Sequence, residues 1–501
     1  MEVAMSSMQS KFGSSTQVVE AGFGYGLATK ENPSWTLEHI LLATGGRLIS
    51  GQAYAGFRSI CTDSRVIKPG DLFLALAGDN FDGAAFIGQA IKKGAAGVII
   101  SSMLESHLPV PVVQVDDTLK ALGDLACHRR ALLRDLKVIA LTGSSGKTTV
   151  KEMTASILQK CGNVLKTRGN FNNLIGLPLS LLPANYRHDF AVLEMGMNRP
   201  GEIARLTEIA DPDIACINNV QAAHLEGLGT IEGVARAKGE LFEKCRSSAL
   251  LVINLEDSLV KKMVRTSKSN KLTYGQRAQA DVRSTHVVAK GQDGIDYTLH
   301  IGSQKSRVHI KTVGEHNVLN SLAAAAMAYG AGAHMPEIVA GLESYNGQSN
   351  RLGIKELPCG LKIVNDSYNA NPASMQAALT TIQGIRNGRK SVAVLGDMLE
   401  LGDISEQEHS QIGEVVAWSG FNYLFAVGDY AQNMVAAARN AGMASDAALR
   451  FQSKKDLAAH IITLFEENIL GSGDIILVKG SRGMHMEDVI DHITGQLVEQ
   501  R

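Results

Sequence analysis

The sequence has no uninterrupted run of about 18 apolar residues, so no segment is long enough to cross a bilayer as a helix. Its cysteines, Cys61, Cys127, Cys161, Cys216, Cys245 and Cys359, include no CxxC pair. That spacing argues against a zinc site or a disulfide framework, and a reducing cytoplasm is the simplest setting. A charge imbalance is missing too: 49 Lys and Arg stand against 50 Asp and Glu, for a formal net charge of -1. No global field then draws in nucleic acid or an anionic membrane, and no nucleic-acid partner is expected. No short-period repeat marks a solenoid. Proline is scarce, at 11 of 501 residues, while glycine is abundant at 50. Many tight strand-to-helix turns account for that balance, and such turns are typical of α/β folds. Residues 1–33 mix glycine, serine and charge without a continuous apolar stretch. They are not a secretory signal, and we read them as a loosely ordered extension in which Met8 is an alternative start.

What is present falls into three blocks, in line with roughly 150 residues per domain. The first, 34–117, carries short strand-like runs at 72–76, 97–100 and 112–115, with a helix-like segment at 84–94. The second, 118–347, opens on a helix-like stretch, 118–136, followed by apolar runs at 138–141, 190–193, 214–217 and 250–253. Short apolar runs ended by glycine suit the centre of a parallel sheet. Ile295, Tyr297, Leu299 and Ile301 then alternate with polar residues, which predicts a small antiparallel addition. The third block, 348–501, has strand runs at 362–364, 392–395, 424–427 and 474–478. The expected fold is α/β with three domains: an N-terminal α/β domain, a central P-loop domain with a mainly parallel sheet, and a C-terminal Rossmann-like α/β domain.

The strongest chemical signal is strand, glycine loop, Lys-Thr, helix: Gly143, Ser144, Ser145, Gly146, Lys147, Thr148 and Thr149. Backbone N–H groups of such a loop cradle phosphate oxygens, and the following helix adds its positive end. Lys147 suits the β- and γ-phosphates of ATP, and the Thr148 hydroxyl suits Mg²⁺. The pattern departs from GxxxxGK[ST], because Leu141 stands where the first glycine belongs. Glu194 follows the run at 190–193; it is either a magnesium carboxylate or a surface residue at a strand end. His224 is a lone histidine, more often structural than a ligand. Lys238, within Ala235-Arg-Ala-Lys-Gly-Glu240, reads on its own as a solvated helix lysine. His316, Asn317 and Asn320 precede an alanine-rich helix at 321–328, where Asn317 can be a cap. The stretch from Asp366 to Pro372, with Tyr368, suits a nucleotide contact and is also good turn chemistry. Arg351 lies before it, near the domain junction. Lys479 to Arg482 end the last buried run and could hold an anion.

In their order along the chain these motifs resemble the Mur ligase family. The supporting stretches are Thr62-Asp-Ser-Arg65, Gly143 to Thr148, Asn170-Phe-Asn-Asn173, Glu194-Met-Gly196, Ala223-His-Leu-Glu226, Ala237-Lys-Gly-Glu240, His316-Asn317, Asp366 to Asn371, Gly396-Asp-Met398 and Lys479-Gly-Ser-Arg482. The family's loop is a shortened variant, which accounts for Leu141. The resemblance runs from about Trp35 to the C-terminus and implies roles. Lys147 and Thr148 would bind phosphate and magnesium. Glu194, His224 and a carbamylated Lys238 would join Thr148 around two Mg²⁺ ions, with Lys147, Lys238 and His224 as the catalytic set. Asn317, Arg351, Asp366 and Tyr368 would surround ATP. Thr62, Asp63, Ser64 and Arg65 would hold the UDP end of the substrate in the first domain. Asn170, Asn172 and Asn173 would face substrate between domains.

The stretch Asp366 to Pro372, and the lack of an Asp-Asn-Pro-Arg stretch, favour the branch that joins D-alanyl-D-alanine to a UDP-N-acetylmuramoyl-tripeptide. That implies amide formation through an acyl phosphate, in peptidoglycan precursor synthesis, by a cytoplasmic monomer. The alternatives are a diamino-acid-adding Mur ligase, a folylpolyglutamate synthetase, a P-loop ATPase without ligation, and an inactive nucleotide-binding scaffold.

Overall fold

The computed structural model describes residues 34–78, 81–103, 107–264 and 268–499. The leader expected at 1–33 lies outside them. Three α/β sheets organise the described residues.

The central sheet runs in the order Val164–Lys166, Phe190–Glu194, Lys137–Thr142, Ile214–Ile217, Leu250–Asn254, Lys271–Gly275, Val282–Ala289, Ile295–Ile301 and Gln304–Ile310. Its strands are parallel as far as Val282–Ala289 and antiparallel beyond, where the alternating stretch was expected to add on. Alternate side chains of its central strands enter two different cores. Ile139, Leu141, Val192 and Cys216 pack under the helices Lys147–Leu158, His316–Gly330 and Met335–Ser344. Val138, Ala140, Leu193 and Ile217 pack under Thr118–Leu132, Glu202–Ala210 and Ile231–Lys244. Burying each such Leu, Ile or Val contributes about 1.5–3 kcal/mol, which is why these strands read as unbroken apolar runs.

The last sheet runs Gly353–Glu356, Lys362–Asp366, Ile475–Lys479, Ser391–Gly396, Tyr423–Val427 and Ala448–Phe451, parallel except for its first strand. The first sheet, Arg47–Ser50, Val112–Gln114, Gly97–Ile100, Leu72–Leu74 and Ile60–Cys61, shares a core with the central one through helix Thr118–Leu132.

Helix boundaries moved where local chemistry intervened. The helix expected at 118–136 ends at Leu132, and the segment at 84–94 is a 3-10 turn, Gly83–Phe86, followed by helix Ile87–Lys92. The alanine-rich helix starts at His316 and runs to Gly330, so His316, Asn317 and Asn320 lie inside it. Ala323 to Ala328 are all fully buried, as a helix that is apolar all round requires.

Register sets the stage for the site. Leu141 lies opposite Glu194 and Thr142 opposite Ile217, so the carboxyl ends of three parallel strands finish level with the glycine loop. In the last sheet Asp366 and Leu395 flank Lys479 in the same way.

Candidate active site

The loop turns directly from strand Lys137–Thr142 into helix Lys147–Leu158, with Gly146 as the N-cap at φ 74. Only glycine adopts that left-handed backbone freely, and a Cβ there would come within 2.6 Å of Asn320 Oδ1. A network of buried and half-buried amides holds the loop. The N–H groups of Ser144 and Ser145 donate to Asn219 Oδ1 at 3.0 and 2.9 Å. Asn218 Nδ2 donates to the Ser145 carbonyl at 3.0 Å and to Asn320 Oδ1 at 3.2 Å. Asn218 in turn accepts from the Tyr274 hydroxyl at 3.0 Å through its side chain and from Asn254 Nδ2 at 2.8 Å through its carbonyl. Lys147 Nζ donates to the Gly143 carbonyl at 2.7 Å. Burial lowers the lysine's pKa and Arg351 lowers it further, against the opposing pull of Glu194 and Glu400.

A cavity of about 630 Å³ opens over this loop. Ser144 to Thr149, Asn170, Asn172, Asn173, Glu194, His224 and Asn317, from the central unit, line it together with Arg351, Asp366, Tyr368, Lys479 and Arg482 from the last sheet's unit. Arg351 joins the two units: its guanidinium donates to Thr148 Oγ1 at 2.8 Å and lies 4.1 Å from the centre of the Tyr368 ring. Lys479 Nζ meets Asp366 Oδ2 at 2.5 Å, a pairing that the strand register dictates. His316, which also lines the cavity, has its imidazole driven toward the neutral form by burial, partly offset by Asp366.

Glu194 is not a surface residue. It is 2% exposed; one oxygen accepts from Asn172 Nδ2 at 2.8 Å, and the other, Oε2, is buried without a partner among the described residues. An unpaired buried carboxylate oxygen costs about 1–3 kcal/mol or more, so a cation is the natural occupant beside it. Among the described residues no group of three or more His, Cys, Asp or Glu is arranged around one metal position. Mg²⁺ takes one or two carboxylates and fills its other positions with water and phosphate oxygens. Glu194 and Thr148 are oxygen donors of that kind.

Lys238 overturns the solvated-lysine expectation: it is 1% exposed on helix Ile231–Lys244 and does not line the cavity. Burial, and secondarily the charge of Lys147, push its pKa well below the ordinary lysine value. His224 lines the cavity at φ 57, with Nδ1 2.6 Å from Glu400 Oε2. Asn317 does not cap by accepting: its Nδ2 donates to the Val313 carbonyl at 2.8 Å. Asn173 and Asn371 are partly committed to helix starts, accepting from Gly176 and Ser374 N–H groups at 2.8 Å each. Thr62, Asp63, Ser64 and Arg65 are not among the cavity's lining residues. Arg65 pairs with Asp63 at 2.8 Å, and Ser64 donates to Gln89 at 2.8 Å.

The sequence matches the Mur ligase middle domain over 141–328, the Mur ligase glutamate ligase domain over 350–482 and the Mur ligase family catalytic domain over 57–130. It is 38% identical to the UDP-N-acetylmuramoyl-tripeptide–D-alanyl-D-alanine ligase of Escherichia coli K12, across 86% of this chain and 92% of that protein. The chain belongs to the Mur ligase family. Two solved Mur ligases show the same fold. A MurF crystal structure from Acinetobacter baumannii superposes with a TM-score of 0.86 at 34% identity, covering 93% of this chain and 99% of that one. MurF ligase from Thermotoga maritima in complex with ADP gives 0.78 at 27% identity, covering 89% and 99%. As a Mur ligase, the chain is an ATP-dependent enzyme that forms a C–N bond.

Asn218, Asn219, Gln221 and Tyr274 were not anticipated as site residues. The first two follow strand Ile214–Ile217 directly, so the rule that ligands gather at strand carboxyl ends was a usable signal for them. Asn219→Ala is expected to raise the KM for ATP about tenfold, the equivalent of about 1.4 kcal/mol, because two loop N–H groups lose their shared acceptor. Steady-state kinetics with ATP varied measure this; an unchanged or lower KM would mean that Asn219 does not shape the loop for ATP.

Proposed function

We propose that this Mur ligase joins the amine of D-alanyl-D-alanine to the peptide carboxylate of a UDP-N-acetylmuramoyl-tripeptide, using ATP and an acyl-phosphate intermediate. One observation carries the reading: the glycine loop of the central sheet and the Asp366–Lys479 strand ends of the last sheet face a single cavity. The name of the Escherichia coli relative supplies the substrates.

On this reading Lys147 exchanges the Gly143 carbonyl for the phosphates of ATP. Arg351, Asp366 and Tyr368 hold the rest of the nucleotide from the last sheet's unit, and Asn317 does so from the helix beside the loop. Glu194 and Thr148 would hold one Mg²⁺, with His224 and a carbamylated Lys238 serving a second. Bound there, magnesium neutralises charge on the phosphates. Burial favours the neutral form of the Lys238 amine, the form that takes up CO₂, and the resulting carbamate would place an anion there. A carboxylate oxygen of the peptide attacks the γ-phosphorus and ADP departs. The amine nitrogen then attacks the acyl carbon, the tetrahedral intermediate collapses, and phosphate leaves with the carboxylate oxygen it acquired. Asn170, Asn172 and Asn173 orient the peptide, and much of the rate comes from holding three reactants together. Thr62 to Arg65 serve the UDP end, away from the cavity, in a first unit spanning 34–117; 118–347 and 348–501 form the other two. The working unit of this proposal is a monomer. The free cysteines fit a reducing cytoplasm.

ADP release in the presence of UDP-muramoyl-tripeptide tests the choice of acceptor. D-Alanyl-D-alanine is expected to stimulate turnover at least a hundredfold over single amino acids, or over folate with glutamate, because buried polar groups reject acceptors that leave them unpaired. Equal stimulation by a single diamino acid would move the chain to another branch of the family.

A further inference from the structure

Glu400 reaches from the last sheet's unit to the central one. Its loop follows strand Ser391–Gly396 and is anchored on both sides, with Met398 and Leu401 buried in the last sheet's core. The N–H of Met398 donates to His409 Nε2 at 2.8 Å, and the N–H of Leu399 donates to Ser481 Oγ at 2.8 Å. His409 is itself fully buried, donates through Nδ1 to the Ser405 carbonyl at 2.6 Å and stacks on Tyr430 with ring centres 4.5 Å apart.

With its neighbours fixed, Glu400 is held at the tip with φ 65. Directly opposite, His224 has φ 57. Left-handed backbone at a residue other than glycine is costly and persists where surrounding contacts over-determine it. Here two contacts cross the boundary: Glu400 Oε2 lies 2.6 Å from His224 Nδ1, and the Glu226 N–H donates to the Glu400 carbonyl at 3.2 Å. An ionised carboxylate only accepts, so Nδ1 carries the hydrogen.

We propose that Glu400 is a positioning residue: it fixes the His224 ring from the last sheet's unit, leaves Nε2 as the nitrogen available in the cavity, and latches the two units so that the glycine loop and Asp366 share that cavity. Carboxylates that orient a functional imidazole through its other nitrogen are a general device, and losing one typically costs ten- to a hundredfold. What is unusual here is that the carboxylate and the histidine sit 176 positions apart, in different units. Correct presentation of His224 is thereby tied to docking of the last unit.

The test uses the full chain with Glu400→Ala and Glu400→Gln, and its kinetic part rests on the ligase reading above. In ligand-free protein, hydrogen exchange of the amides of Leu225–Leu228 is expected to speed up about tenfold in Glu400→Ala, while the strand Ser391–Gly396 keeps its protection. The kcat/KM for ATP falls about tenfold or more at an unchanged melting temperature. Glu400→Gln, whose amide oxygen still accepts from Nδ1, recovers most of both. Wild-type exchange and kinetics in Glu400→Ala would overturn the proposal, as would loss of protection throughout the last sheet. A wild-type enzyme that makes no D-alanyl-D-alanine amide would instead overturn the ligase reading and leave the exchange result standing.

Discussion

Lys147→Ala is expected to lower kcat/KM for ATP-dependent ligation by about a thousandfold, near 4 kcal/mol of transition-state stabilisation. Lys147 opens helix Lys147–Leu158, where alanine is an excellent helix former, so the fold should survive. Its Nζ donates to the Gly143 carbonyl, and burial disfavours its charge. An anion arriving at the loop reverses that balance, because phosphate favours the charged form and pairs with it. Loss of the side chain should therefore act through the nucleotide and leave the melting temperature nearly unchanged. Measured turnover within tenfold of wild type would remove Lys147 from the phosphate-binding role.

Lys238→Met is expected to abolish most activity yet leave the chain at least as stable as the unmodified parent. Lys238 is buried, and its pKa is pushed well below the lysine value by desolvation first and by Lys147 second. The sign follows from proton counts. The folded pKa lies below the unfolded one, so between the two the unfolded lysine binds a proton that the buried one does not, folding releases it, and burial costs stability. That cost declines as pH rises toward the unfolded pKa of about 10.4. Methionine has no proton to release, so thermal melts at pH 7 should show an equal or higher midpoint. If a carbamate is the working form, added short carboxylic acids should restore part of the activity of Lys238→Ala, whose truncated side chain leaves room for them. Full activity in either variant would return Lys238 to a packing role.

Contact range decided what the sequence revealed. The loop, Glu194 and the Asp366 stretch stand directly after apolar strand runs, and parallel strands in register bring such ends together. Lys238 was legible only by resemblance. Composition predicts a solvated lysine there, but Ala237, Lys238 and Gly239 are all buried, with Gly239 beside Met263 of helix Ser258–Met263, so the helix is covered on more than one face. Asn173 and Asn371 show the limit of motif reading, because their side chains also start helices. Glu400 and Tyr274 had no local signal at all. Their partners, His224 and Asn218, are 176 and 56 positions away, and nothing in either neighbourhood encodes the meeting. Thr62 to Arg65 lie away from the cavity, so their assignment to the UDP end rests on resemblance alone.

The central claim is that the glycine loop holds ATP so that its γ-phosphate activates a peptide carboxylate. Turnover of UDP-muramoyl-tripeptide whose peptide carboxylate carries oxygen-18, with ATP and D-alanyl-D-alanine, tests it most directly. Mass spectrometry of both products should find the pentapeptide amide and one labelled oxygen in each phosphate released. Phosphate released without label, or ADP formed without the amide, would contradict it.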